Sequence, residues 1–180
     1  MARLAKYYRE HIIAEMQKEF GIPNALSVPR LDKIVINMGV GEAIQDIKTL
    51  EVAMQDLGKI TGQKPIIRRA RKAISNFKLR IGMPVGCKVT LRQAKMYEFM
   101  DRLVNFCLPR IRDFSGVSRK AFDQQGNYTL GLEDQSIFPE IDTGNIQHTQ
   151  GMDVTFVFNH GPQEQTFALL RLFGMPFAKS

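Results

Sequence analysis

The side chains best suited to catalysis are few, and their spacing does not suit it. The histidines are His11, His148 and His160, and none has a His, Cys or carboxylate at metal-ligand spacing. Cys87 and Cys107 are too few for a disulfide framework or a Cys-based metal centre. They read as small buried hydrophobes in a reducing compartment. No serine or cysteine lies in a nucleophile-elbow context. The run GVGEAI, from Gly39 to Ile44, starts like a dinucleotide fingerprint after a strand, but Ile44 stands where the third small residue belongs. A nucleotide-binding enzyme using the Gly39–Gly41 turn is therefore the alternative reading, and a tight turn at a strand end is the simpler one. GKITGQKP, from Gly58, mimics a phosphate loop, yet Pro65 occupies the position of the magnesium-binding hydroxyl and a helix precedes it. No catalytic residue, metal or cofactor is expected.

Binding chemistry is better represented. Between Asp56 and Glu98 lie 41 residues without one Asp or Glu, and 11 of them are Lys or Arg. The net charge of the whole chain is +7, so the other 139 residues sum to −4. One concentrated block of cation favours a polyanion, with nucleic acid ahead of an acidic membrane surface. Within the block, VGCKVTLR alternates: Val85, Cys87, Val89 and Leu91 face one way, and Lys88, Thr90 and Arg92 the other. Two cations flanking a hydroxyl suit a phosphate or a 2′-OH. LDKIVINMGV alternates likewise, with Ile34, Ile36 and Met38 opposite Lys33, Val35 and Asn37. Asn37 adds a group able to pair with a base edge or ribose. The competing reading is the solvated face of a half-buried sheet, although such faces normally mix both signs. In AISNFKLRIGMP, Phe77 sits between Asn76 and Lys78, with Arg80 beyond. Phe77 could stack on a base while the cations hold phosphates, or tuck under the loop as an anchor.

These groups need elements to position them. Arg3 to Phe20 reads as a helix, with Leu4, Tyr8, Ile12 and Met16 every four residues and Gly21 as its stop. Asp46 to Thr61 is a second helix, with Ile47, Leu50, Met54, Leu57 and Ile60 on one stripe and Gly62 after it. KPIIRRA is a short strand, and RKAISNFKLRIGMP a loop or irregular hairpin tip. Ala94 to Leu108 is a third helix burying Met96, Phe99, Met100, Leu103, Val104 and Cys107, closed by Pro109. From Arg110 to Gln150 periodicity weakens, with YTLGL as a strand. MDVTFVF is the last strand, and a final helix follows with Pro162 near its start and Gly174 after it. Half-polar strands among helices predict an α+β fold: an antiparallel sheet with helices on one face and the other face free. One domain over residues 1–180 is expected, with loop excursions at about 70–84 and 110–150. No apolar run approaches a bilayer span, and the N-terminal stretch lacks a signal peptide's apolar centre, so a cytoplasmic protein with no membrane partner is expected.

The segment from Asp113 to Asp153 differs in charge. It carries Asp113, Asp123, Glu133, Asp134, Glu140, Asp142 and Asp153 against Arg119 and Lys120. Such a segment suits a basic protein partner, or is a solvated loop.

KIVINMGVG at Lys33, ITGQKP at Ile60, AISNFKLRIGMPVGCKVTLR at Ala73, RIRDFSGV at Arg110 and MDVTFVF near the end closely resemble the bacterial ribosomal protein L-five family. The similarity runs over essentially the whole chain. The resemblance implies a curved antiparallel sheet backed by helices, a place in the central protuberance of the large subunit, and 5S ribosomal RNA as partner. It implies 23S ribosomal RNA and the neighbouring 5S-associated proteins as further partners. Its RNA-contacting motifs carry Asn37, Gln63 and Thr90. Only Asn37 and Thr90 are reached independently by periodicity. With Lys33, Lys64, Lys88 and Arg92 these make the expected 5S-binding set. The resemblance also implies that a loop holding Ser75, Asn76, Phe77, Lys78 and Arg80 touches the peptidyl-site tRNA. It implies that the later loops, with Arg110, Arg112, Asp113, Glu133, Asp134 and Asp142, bridge to the small-subunit head protein S-thirteen.

Overall fold

The computed structural model describes residues 2–142, 144 and 149–178. Helix α1 (Arg3–Tyr7) passes through a π turn (Tyr8–Ile12) into α2 (Ile13–Phe20). The π turn explains the strict four-residue spacing seen in the sequence. An unbroken α-helix would rotate such a row away from the core, and one wider i→i+5 turn brings it back. Leu4, Tyr8, Ile12 and Met16 are all buried. Gly21 ends the helix at φ +62°, where its missing Cβ carries no penalty.

Strands β1 (Leu31–Gly39), β2 (Ile66–Arg69), β3 (Pro84–Leu91), β4 (Tyr128–Leu132) and β5 (Met152–Phe158) form one open antiparallel sheet in the order β2-β3-β1-β5-β4. The α+β expectation holds. Helices α3 (Ile47–Thr61), α4 (Gln93–Arg102) and α5 (Gln163–Leu172) are the other α-helices among the described residues. The predicted Ala94–Leu108 helix is composite: α4 gives way to a π turn (Leu103–Cys107) and then a 3₁₀ turn (Leu108–Arg110). Pro109 sits at the start of that last turn, where its missing N–H is harmless. All six predicted core positions of this segment are buried. Ile47 departs from its predicted stripe and is 57% exposed, because it is the first helical residue and lies beyond the packed turns.

The chain divides into two compact units. The first comprises residues 1–34, 91–130 and 155–180, and the second residues 35–90 and 131–154. The first unit's core gathers Ile12, Met16, Phe99, Met100, Leu103, Phe156, Leu169 and Leu170. Beside it Phe122, Tyr128, Phe167 and Phe177 form an aromatic cluster, and the Tyr128 hydroxyl donates to the Ser118 carbonyl at 2.8 Å. The second unit's core gathers Ile36, Met38, Leu50, Leu57, Ile60, Cys87, Val89, Phe138 and Val154. Burial pushes the Cys87 and Cys107 thiols up to about 11, so both stay protonated and unreactive at neutral pH, as expected of structural cysteines.

Candidate nucleic-acid interface

Strand β3 builds the centre of the site. Cys87, Val89 and Leu91 are buried, while Lys88 and Thr90 are half-buried on the other face and Arg92 is exposed just past the strand end. Val85, expected with the buried set, is half-buried instead. On β1, Ile34, Ile36 and Met38 are fully buried, and Lys33, Val35 and Asn37 are half-exposed. Both predicted alternations are therefore observed. A Cβ on Gly86 would run into the Met38 carbonyl, so glycine permits β3 to lie this close to β1.

Gln63 reaches β3 through the end of α3. The helix stops at Gly62, whose φ of +62° turns the chain, and the Thr61 hydroxyl donates to the Leu57 carbonyl at 2.7 Å. Gln63 follows at once, and its Nε2 donates to the Thr90 carbonyl at 3.2 Å. That bond brings together two of the three residues singled out by the family resemblance. Lys64 is exposed beside them.

In the first unit, Asp32 Oδ2 accepts from Arg92 Nη1 at 3.2 Å and lies 3.9 Å from Lys33 Nζ. A carboxylate thus holds two of the predicted cations, which their individual strand patterns did not indicate.

The β2–β3 register adds residues that the sequence reading missed. Ile66 pairs with Lys88 and Arg68 with Gly86, so Ile66 and Arg68 share the face of Lys88 and Thr90. Ile66 is 56% exposed on this edge strand. Four residues of β2 are too short a run to reveal a face, and only the pairing register assigns one.

The predicted tRNA loop is the tip of the β2–β3 hairpin. Ala70 and Met83 are joined by a 2.8 Å backbone bond, and Arg69 donates to the Gly82 carbonyl at 2.9 Å. Ile74 and Leu79 exchange backbone bonds at 2.9 and 3.0 Å around a 3₁₀ turn, Ser75–Phe77. Lys78 closes that turn at φ +51°. Phe77 is 71% exposed, so it is not the loop's buried anchor. Ser75, Asn76, Lys78 and Arg80 are exposed around it.

The residues expected to bridge to another protein divide. Arg110, Arg112 and Asp113 are exposed in the first unit, while Glu133, Asp134 and Asp142 belong to the second. Asp134 is a turn residue, accepting from the Ser136 amide and hydroxyl at 2.7 Å each. Asp142 accepts from the Gly144 amide at 3.1 Å.

The nucleotide-fingerprint alternative gains no support from the local geometry. Gly39 ends β1, Gly41–Ile44 is a 3₁₀ turn, and neither glycine has positive φ. Asp46 caps α3 by accepting from the Lys48 amide at 2.9 Å, which puts a carboxylate where a phosphate would sit. The Gly58–Pro65 segment is the end of α3 and its left-handed cap at Gly62, not a loop that follows a strand. Of the histidines, His160 Nε2 lies 2.8 Å from the Ser27 carbonyl and His11 packs against Tyr7. His148 lies outside the described residues. Among the described residues no group of three His, Cys, Asp or Glu could hold a metal, and no helix is long and apolar enough to cross a membrane.

Residues 24–80 match the family model described as ribosomal protein L5, and residues 84–177 match the model of the same family's C-terminus. The chain belongs to the ribosomal protein L5 family. A large ribosomal subunit protein uL5 from Geotalea uraniireducens is 54% identical over 177 residues, covering 98% of this chain and 99% of its own. One from Clostridium botulinum is 53% identical over 179 residues, covering 99% of each. Both relatives are named as ribosomal proteins and neither as a nucleotide-using enzyme.

Proposed function

We propose that this chain is a large-subunit constituent of the cytoplasmic bacterial ribosome that docks 5S ribosomal RNA on the polar face of β1 and β3, without chemistry of its own. The observation that carries the reading is the row of Lys88 and Thr90 with Gln63 tied to it, on a strand whose other face is buried. Lys88 and Lys64 have no carboxylate partner among the described residues, so their charge is available to phosphate. Asn37 and Thr90 supply hydrogen bonds that select RNA over a bare polyanion. Lys33 and Arg92, in the first unit, complete the proposed set. The hairpin tip, with Ser75, Asn76, Phe77, Lys78 and Arg80, contacts the peptidyl-site tRNA, and the exposed ring of Phe77 supports that role. The exposed residues Arg110, Arg112 and Asp113 of the first unit and Glu133 and Asp142 of the second meet the small-subunit head protein, and Asp134 shapes the turn after Glu133. Contacts with 23S ribosomal RNA and the 5S-associated proteins follow from the same location. A single domain over residues 1–180 belongs to this reading, since neither unit is built from one continuous stretch.

Binding of purified 5S RNA tests it. Asn37→Ala and Thr90→Ala should each weaken binding by roughly 1–3 kcal/mol. Lys78→Ala with Arg80→Ala should leave 5S affinity intact and impair tRNA-dependent steps. Unchanged 5S binding in both sheet variants, with folding intact, would remove the sheet-face assignment. Equal affinity for duplex DNA at matched salt would make this a general nucleic-acid binder instead.

A further inference from the structure

The first unit holds a cleft of about 570 Å³, its walls including Tyr8, Arg9, Arg30, Asp32, Gln93 and Tyr97. That size is typical of a small-ligand pocket. Arg9 and Arg30 are exposed. Burial pushes the Tyr97 phenol up, and both guanidiniums lie near enough to oppose that shift. Tyr8 is fixed by its hydroxyl, which donates to the Pro29 carbonyl at 3.0 Å. Asp32, on the cleft wall, engages Arg92 and Lys33 through Oδ2, while no hydrogen bond or ion pair occupies its Oδ1 among the described residues. Through this carboxylate the cleft continues into two of the cations assigned to RNA.

We propose that this cleft receives one unstacked ribonucleotide of the docked RNA. The inference rests on the 5S reading above. Arg30 presents a planar donor fork to the phosphate, the positive charge of Arg9 reinforces the attraction, and the half-buried ring of Tyr97 gives the base a surface to lie on. Asp32 Oδ1 accepts a hydrogen bond from a base N–H or exocyclic amine. A surface that attracted phosphate alone would gain nothing from an acid at this point, since the carboxylate repels the backbone. An acceptor held between cations is the arrangement that reads a base edge while its neighbours neutralise the phosphates.

The test uses the full chain and 5S RNA. Arg9→Ala with Arg30→Ala should weaken binding roughly tenfold, as for lost charge-assisted bonds, and lower the salt slope by about 1. Asp32→Ala, which removes the acceptor, should lower affinity for 5S RNA several-fold and leave affinity for an unrelated hairpin unchanged. Tighter binding of both RNAs by this variant would make Asp32 a simple repeller and overturn its role. Replacing Tyr97 with 4-benzoylphenylalanine should give a photocrosslink to one unpaired nucleotide. This measurement keeps both arginines, so it decides the matter even where the double variant misfolds. Absence of a crosslink, or crosslinks scattered over duplex positions, overturns the cleft. If Lys88→Ala weakens binding while the arginine pair does not, the cleft falls and the sheet face stands. If neither affects binding, both fall.

Discussion

The acid-free block and the acidic segment differ in more than sign. In the block, Lys59 pairs with Asp56 and Arg92 with Asp32, but Lys64, Arg68, Arg71, Lys72, Lys78, Arg80 and Lys88 have no carboxylate partner among the described residues. Three of the seven acids of the later segment bond the backbone of their own turns. Asp123 accepts from the Gln125 and Asn127 amides at 2.9 and 2.8 Å, and Asp134 and Asp142 close turns in the same way. Short side chains that bond a backbone amide two residues on make turns, and this one property explains part of the acid content. The lesson is that a charge excess does not by itself measure a docking surface. Cations on long side chains remain free for a partner, whereas many of these aspartates are already engaged in shaping loops.

Charge reversal tests that contrast most strongly. Lys88→Glu should cost roughly 2–3 kcal/mol of 5S affinity and reduce the salt slope by about 1. The mirror change, Glu133→Lys, should leave 5S affinity within about 0.5 kcal/mol, the range of a surface change remote from a site. Titrations of both variants across a salt series check this, and equal effects would erase the distinction between the two regions.

The next effect concerns the scaffold under the cations. Gly86→Ala places a methyl against the Met38 carbonyl, so β3 must shift from β1. Such overpacking costs about 1–3 kcal/mol of stability. Urea unfolding measures the cost, and 5S affinity should fall with it because Lys88 and Thr90 move too. Retained stability and affinity would show that the close strand approach is dispensable.

A smaller effect separates the two uses of polar residues. Asp134→Ala and Asp123→Ala should each lose about 1 kcal/mol of stability, as when a helix cap is removed. Lys64→Ala should change stability by less than about 0.5 kcal/mol. If the aspartate variants were as stable as the parent, the acids would be free for a partner after all.

How much of this was legible in the sequence follows from the range of each interaction. The alternations of β1 and β3 were readable because a side chain's face depends only on its neighbours in the strand. The buried rows of the helices were readable for the same reason, except at Ile47, where the helix begins before its packing does, and at Met54, which is only half-buried while Ala53 beside it is buried. The face of Ile66 and Arg68 was not readable, since it depends on the register with β3. Gln63 was reached only through family resemblance. Its position depends on the left-handed turn at Gly62 and on a strand that comes 27 residues later. The turn-forming aspartates could have been suspected from Asp123 and Asn127 with Gly126 between them, and from Asp142 before Gly144. The Asp32 contact joins positions 60 residues apart, and no local pattern announces it.

The smallest expected effect belongs to an acid of a third kind, one held by a cation. Asp101 accepts from Arg3 Nη2 at 2.6 Å and Nε at 3.0 Å, a forked pair between α1 and α4, and from the Asn105 side chain. The Arg3 bond holds its carboxyl below the usual value of 3.8, outweighing the opposing effect of burial. A carboxyl lowered by folding contributes stability that is fully present above its unfolded value. That stability is lost as pH falls from there through the lower folded value. The contribution is small because Arg3 is exposed and salt screens the pair. Asp101→Asn should therefore leave most of the stability at pH 7 and flatten the acid limb of the stability profile below pH 3.8. Asp134→Ala should instead lower stability at neutral pH through the lost turn bonds. Thermal unfolding of both variants from pH 7 down to about pH 3 distinguishes them, since 3.8 is close to an ordinary aspartate's titration. An unaltered acid limb in Asp101→Asn would mean that the Arg3 pair adds nothing, and that the N-terminal helix is held by its buried row of Leu4, Tyr8, Ile12 and Met16 and its other contacts.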